Sequence, residues 1–252
     1  TVPIIALDRD VEALQLAESN LHTFKHKVTF HKSNFRNLDT VIKELNVSHV
    51  DGVLLDLGVS SMQLDSAGRG FSFMRDEPLK MTMSSDGADM GVDAYEVVNT
   101  WREETLADIF YGYGEERYSR RIARAIVLSR VIEPISTTGT LAKIIKDAVP
   151  NSYRNGRIHP ATKTFQAIRI AVNDELGSIS EGLTRAWECL APEGRLVVIS
   201  FHSLEDRIVK HFIRDHKDEG IVVTKKPITP SKEEIASNPR SRSAKLRIFQ
   251  KK

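Results

Sequence analysis

Cysteine is almost missing from this chain: Cys189 stands alone among 252 residues. That excludes an intrachain disulfide and a multi-thiolate metal site, and it fits a reducing compartment. No sign of charge dominates either, because 36 Lys and Arg face 34 Asp and Glu for a net charge of +2. Affinity for a polyanion therefore has to come from local clusters. No apolar run approaches membrane-spanning length and no signal peptide opens the chain, so the expected location is cytoplasmic. What is present is material for a core: 40% of the residues are hydrophobic, and a chain of this length buries roughly three-quarters of its unfolded surface.

The first residues, Ile4-Ile5-Ala6-Leu7, form a short run of buried-strand type with Asp8-Arg9-Asp10 as a polar break. The chain is expected to start inside a fold, with ordering elements upstream. Val11, Leu14, Ala17 and Leu21 then recur at spacings of three and four, which predicts a helix laid on a sheet. Val28-Thr29-Phe30 reads as a second strand, Leu38, Val41, Ile42 and Leu45 as a second helix, and Val53-Leu54-Leu55 as a third strand ending in Asp56-Leu57-Gly58. Strand, helix, strand, helix, strand implies an α/β fold with a parallel sheet.

Residues 60 to 92, with Gly68, Gly70, Gly87, Gly91 and Pro78, show no clean period and read as loop. From Val92 to about residue 158 the periodicity is helical. A helix from His159-Pro160-Ala161 follows, then a helical stretch up to Leu190 and a turn at Ala191-Pro192-Glu193-Gly194. Arg195 to Phe201 is the strongest strand of the chain, with a helix from Leu204 to Phe212 behind it. Ile221 to Thr224 and Leu246 to Phe249 are expected to close the sheet as a pair of edge strands. The expected division is 1–92 for the first part of a sheet domain, 93–160 for a helical insertion assigned to RNA recognition, and 161–252 for the rest of the sheet domain with a basic end.

In parallel sheets ligands bind at the carboxyl ends of the strands, where this reading puts Asp8, the Asn34-Phe35 corner and Asp56. A short carboxylate there can accept hydrogen bonds from both ribose hydroxyls of an adenosine-containing cofactor, and Asp8 is so placed. Capping of the following helix explains the same spacing equally well. Phe35 can lie on an adenine face or simply in the core. Asp56, between an apolar run and Gly58, has few structural reasons to be there.

The segment Asp56-Leu57-Gly58-Val59-Ser60-Ser61-Met62-Gln63-Leu64-Asp65, with Arg69-Gly70-Phe71-Ser72-Phe73-Met74-Arg75-Asp76 after it, resembles the S-adenosylmethionine-dependent methyltransferases that modify N4 of a cytidine in small-subunit ribosomal RNA, the MraW or RsmH family. The resemblance continues through Tyr113-Gly114-Glu115-Glu116-Arg117, His159-Pro160-Ala161-Thr162-Lys163-Thr164-Phe165-Gln166, Ser200-Phe201-His202-Ser203-Leu204-Glu205-Asp206-Arg207 and Asn238-Pro239-Arg240-Ser241-Arg242-Ser243-Ala244-Lys245. It implies a Rossmann-like class I methyltransferase sheet with a helical insertion domain, S-adenosylmethionine as cofactor, and cofactor contacts on Asp8, Phe35, Asp56 and Gln63. The family's glycine-rich loop ending in Gly-Gly-His lies upstream of where this sequence begins. Enzymes that methylate the same amine in DNA carry Asp or Ser before Pro-Pro-Tyr at this strand, whereas here the text is Asp-Leu-Gly-Val.

The lone pair of cytosine's exocyclic amine is delocalised into the ring, so attack on a sulfonium methyl needs a proton acceptor and in-line geometry. Asp56 with Ser60 is the candidate for holding the amine, and His202 and Glu205 are candidates for base contact or proton acceptance. Arg117, Arg120, Arg121, Arg124 and Arg130 lie in one helical stretch, while Arg240, Arg242, Lys245, Arg247, Lys251 and Lys252 crowd the last residues. Both groups are candidate phosphate contacts. Lys163, Arg169 and Arg207 are expected at the pocket mouth, and Phe71 and Phe73 either stack on an extruded base or staple their own loop.

His22 and His26 have the spacing of a metal pair but no third ligand, so no metal requirement is expected; a chelator that abolished methyl transfer would overturn this. The expected partner is small-subunit ribosomal RNA or the assembling small subunit, with no membrane and with room for a homodimer. A second reading is a non-catalytic RNA-binding or ribosome-assembly factor on a methyltransferase scaffold. Retention of Asp8, Asp56 and Gln63 argues against it.

Overall fold

The computed structural model describes residues 3–65, 67–85 and 91–252. The first elements are β1 (Ile4–Asp8), α1 (Val11–Asn20), β2 (Val28–Lys32), α2 (Leu38–Glu44) and β3 (Val50–Asp56). There follow α3 (Ser61–Asp65), α4 (Ala94–Thr100), α5 (Glu103–Gly112), α6 (Ser119–Ile132), α7 (Thr138–Ala148), α8 (Asn151–Arg154) and α9 (Ala161–Asn173). The chain then forms α10 (Glu175–Cys189), β4 (Leu190–Ser200), α11 (Ser203–Asp215), β5 (Gly220–Val222), α12 (Lys232–Ser237) and β6 (Lys245–Lys251). Two compact units result: residues 1–58 with 175–252, and residues 59–174.

The first unit holds the strands. Among the described residues the expected single parallel sheet is two: β1 pairs parallel with β2 in a two-stranded sheet, with Ile4 opposite Val28 and Asp8 opposite Lys32, while β3 runs parallel to β4 in a separate four-stranded sheet, with Leu54 opposite Val197. The turn at residues 191–194 survives as an irregularity inside β4, where the pairing jumps from Val50–Leu190 to Gly52–Arg195 and Glu193 takes a positive φ of 65°. Leu55, Leu57, Leu183, Trp187, Leu196, Val198 and Phe249 are the buried apolar residues around which this unit packs.

Where a pair of edge strands was expected, β6 instead lies inside the sheet, in the order β3-β4-β6-β5, antiparallel to both neighbours. Only β5 is an edge of this end. The reason is the side-chain inventory of β6: Phe249 is fully buried and stacks on Trp187 at 4.5 Å, while each nearby cation is taken up by the fold. Arg247 Nε and Lys245 Nζ donate to Asp206 at 2.7 and 3.2 Å, and Lys251 Nζ donates to the carbonyls of Trp187 and Leu190. Burial pushes the Asp206 carboxyl up, but the hydrogen bonds and charges of Arg247 and Lys245 outweigh it, so the group titrates below the usual carboxylate range.

Replacing Asp206 with Ala strands both cations and is expected to lower stability by about 2 kcal/mol at neutral pH. A depressed carboxylate stabilises the fold above its unfolded value of 3.8, and that contribution is lost as pH falls through the folded value. Urea unfolding of wild type and variant should therefore converge in acid.

The second unit is built from α3 to α9 around Leu106, Phe110, Ile122, Ile126, Leu141, Ile145, Phe165 and Ile168. The segment read as plain loop belongs to it: Phe71, Leu79 and Met81 are buried in the same cluster. Asn173 ties it down, accepting from Met83 N at 2.8 Å and donating to Met81 O at 2.7 Å. Gly70 has φ +72°, and a Cβ there would lie 2.3 Å from Pro78 O, so only glycine serves. Of that segment, Gly87 and the other residues of 86–90 lie outside the described residues. The compact units thus divide at 58/59 and 174/175, against the expected 92/93 and 160/161, because the loop and α9 contribute apolar side chains to the helical core. Among the described residues no helix is long and apolar enough to cross a membrane.

Candidate active site

In the first unit the strand ends carry the predicted side chains. β1 ends at Asp8, Phe35 follows β2, β3 ends at Asp56, and Phe201-His202 follow β4. Asp10, not Asp8, caps α1, accepting from Glu12 N at 3.2 Å. Asp8 accepts the amide of Asp10 at 2.8 Å. Burial raises the Asp8 carboxyl, against the lowering effect of the Asp10 and Arg9 amides. The capping explanation for Asp8 thereby fails, because Asp10 takes the cap.

Phe35 opens a short 3-10 turn capped by Asn34, whose side chain accepts from Arg36 N at 3.1 Å. Its ring packs on α10 at Gly182, where a Cβ would lie 2.3 Å from Cδ2 and 2.6 Å from Cε2. The close approach requires glycine. Gly182→Ala is expected to displace the ring and to lower stability by about 1–3 kcal/mol. Urea unfolding of wild type and variant checks this.

Asp56 reaches solvent, but neighbouring protein desolvates its carboxyl and the Glu205 charge adds to the effect, so it titrates above the usual carboxylate range. The corner that carries His202 is built by a capping box. Glu205 Oε2 accepts the amides of Phe201 at 2.7 Å and His202 at 3.1 Å. His202 Nδ1 accepts from Glu205 N at 3.5 Å, and its Nε2 lies 3.2 Å from Glu205 Oε1. Glu205 is fully buried (0%), so its carboxylate holds the corner and acts on Asp56 through its field. Glu175, at the start of α10, was not singled out from the sequence. The structure gathers it with His202 and Glu205, ligand-type atoms all within 4.8 Å.

In the second unit Ser60 and Gln63 satisfy each other: Ser60 N donates to Gln63 Oε1 and Gln63 N to Ser60 Oγ, both at 3.1 Å. Gln63 is buried and its Nε2 donates to Met83 O at 3.2 Å, which gives both residues a local structural task. Arg117, Arg120, Arg121 and Arg124 are exposed. Arg130 is not part of that surface, because its guanidinium donates to the carbonyls of Val98 and Trp101 at 2.7 Å. Lys163 Nζ donates to Glu115 O at 2.8 Å, and Arg169 is half-buried. Phe71 is buried, and Phe73 stacks on His159 at 4.6 Å with Phe165 edge-on at 5.0 Å, so both staple their own segment.

Back in the first unit, Arg207, Arg240 and Arg242 are exposed. Lys245, a candidate phosphate contact from the sequence, pairs instead with Asp206 at 3.2 Å. Basic residues within a strand look identical in sequence whether the fold neutralises them or not.

Comparison with known proteins matches a family model described as the MraW methylase family over residues 1–252. The chain is 48% identical over 265 residues to ribosomal RNA small subunit methyltransferase H of Brevibacillus brevis, covering 98% of this chain and 83% of the relative. It is 52% identical over 248 residues to the protein of the same name from Cyanothece, covering 98% and 80%. With that of Thermosipho africanus it shares 51% identity over 249 residues, covering 98% and 82%.

Proposed function

The chain belongs to the MraW methylase family, and from that premise we propose that it transfers a methyl group from S-adenosylmethionine to the exocyclic N4 amine of a cytidine in small-subunit ribosomal RNA. The observation that carries the reading is the placement, within one unit, of Asp8 and Asp56 at the carboxyl ends of β1 and β3 and of Phe35 in the turn after β2. A non-catalytic scaffold has no use for that set.

The side chains present fit the cofactor. Asp8 has one oxygen on the Asp10 amide, and a carboxylate so held accepts from a ribose diol. Phe35, fixed against Gly182, offers an aromatic surface of the kind an adenine stacks on. When bound, S-adenosylmethionine supplies an electrophilic methyl group on its sulfonium.

Asp56 does the remaining work. The amine of cytosine becomes nucleophilic as an N–H proton is drawn away, and the product nitrogen has to lose that proton. A carboxylate lifted above the ordinary range by desolvation and by Glu205 is a better proton acceptor than one at 3.8. His202, on the corner fixed by Glu205, lies after the neighbouring strand and is the second polar group for orienting the base.

Methyl-labelled cofactor incubated with unmethylated small ribosomal subunits tests the reading. Label is expected in the RNA, and Asp8→Ala is expected to raise the cofactor concentration needed by about tenfold or more. RNA binding with no transfer at any cofactor concentration would sink the enzymatic reading.

A further inference from the structure

The second unit contains a side-chain assembly that the methyl-transfer chemistry does not use. Glu116 is fully buried (0%). Its Oε1 accepts Tyr118 N at 2.8 Å and its Oε2 accepts the Tyr153 hydroxyl at 2.6 Å. Tyr118 and Tyr153 meet edge to face at 5.0 Å. Above them lies Arg117, its guanidinium carbon 4.7 Å from the Tyr118 ring centre and 5.0 Å from that of Tyr153, with Nη2 donating to Tyr118 Oη at 2.9 Å. Burial and the Glu116 carboxylate hold the Tyr153 hydroxyl well above its usual titration range, so Tyr153 keeps the proton it donates to Glu116.

The backbone under this assembly is fixed as well. Glu116 N donates to Phe110 O at 3.0 Å and Lys163 Nζ to Glu115 O at 2.8 Å. Gly114 fits where a Cβ would lie 2.6 Å from Lys163 O. Glu115 takes a positive φ of 49° to turn the chain into α6.

We propose that Arg117 is the RNA-phosphate anchor of this unit, with Tyr118 and Tyr153 as its platform and Glu116 as the positioning residue that holds the platform; this rests on the RNA-methyltransferase reading above. Arg120, Arg121 and Arg124 are also exposed on this stretch, but among the described residues no aromatic face fixes them, so each loses rotamer freedom when it meets a phosphate. Arg117 has lost much of that freedom beforehand. Its guanidinium spends one donor on Tyr118 and keeps the rest of its planar fork for a phosphodiester, a geometry that an ammonium does not reproduce. The anchor orients the RNA, while the neighbouring arginines steer it.

The test is equilibrium binding of the full chain to a labelled cytidine-containing RNA oligonucleotide across a salt series. Arg117→Ala is expected to weaken binding about tenfold and to reduce the slope of log affinity against log salt by about 0.7. Arg117→Lys is expected to recover the slope but less than about a third of the affinity. Tyr153→Phe keeps the ring and every charge and removes only the bond to Glu116. It is expected to weaken binding about threefold with an unchanged slope, and Glu116→Gln, if it folds, to do less. Melting temperature and cofactor affinity should stay at wild-type values for Arg117→Ala and Arg117→Lys, which a merely structural role for the arginine would not allow.

Equal losses for Arg117→Ala and Arg121→Ala, or full affinity in Arg117→Lys, would overturn the anchor. Unchanged affinity in Tyr153→Phe would overturn the positioning role of Glu116. If neither Arg117→Ala nor the paired Arg121→Ala and Arg124→Ala variant weakened RNA binding, the assignment of this unit to RNA would itself fail.

Discussion

Asp56→Asn is expected to slow methyl transfer by about a hundred- to ten-thousandfold, the range typical for loss of a positioned acid–base group. The asparagine keeps the shape of the side chain at the end of β3 and can still orient the amine, but it cannot take the proton. Stability should not fall with activity. The Asp56 carboxyl titrates above the usual carboxylate range because desolvation and Glu205 disfavour the charged form. The folded state therefore holds that proton more tightly than the unfolded chain, and the contribution to stability declines as pH rises through the raised value. Removing the charge leaves the variant as stable as wild type at neutral pH, or slightly more so. Single-turnover rates and urea unfolding on the same preparation separate the two effects, and a variant that lost both together would place Asp56 in the structure rather than the chemistry.

Glu205 should show the opposite pattern, with two substitutions pulling apart. Glu205→Ala leaves the amides of Phe201 and His202 without the acceptor they use at 2.7 and 3.1 Å, at a fully buried position. The expected cost is about 2–4 kcal/mol, with activity lost as the corner after β4 loosens. Glu205→Gln retains a carbonyl oxygen for those amides and removes the charge that helps to raise Asp56. Its acid limb in the pH–rate profile should therefore move to lower pH than in wild type, since the base form of Asp56 persists further into acid. An acid limb that stayed in place would show that the Glu205 charge does not reach Asp56.

The parallel pairs were legible because each strand carries its own apolar run and each connecting helix its own period; β1–β2 and β3–β4 follow. Asp8 and Asp56 could be placed for the same reason, since each closes the apolar run of its own parallel strand, but that β1–β2 and β3–β4 form separate sheets was not legible. The interior position of β6 was not legible: Lys245, Arg247 and Lys251 read as a solvated basic tail until Asp206 and the carbonyls of Trp187 and Leu190 are brought to them. The segment with Phe71, Leu79 and Met81 hid its burial because irregular backbone gives apolar residues no period.

The task of Gln63 did have a signature, since Ser60 followed three residues later by Gln63 is the spacing of a reciprocal cap. Glu175 had none. Its proximity to His202 and Glu205 is a product of tertiary folding across 27 residues of sequence.

Which atom receives the methyl group is read by digesting small-subunit RNA methylated by this chain and identifying the modified nucleoside by mass spectrometry. N4-methylcytidine is expected from wild type, and loss of that product, with no new one, from Asp56→Asn. Label recovered on a ring carbon, on a ribose hydroxyl or on another base would contradict transfer to N4.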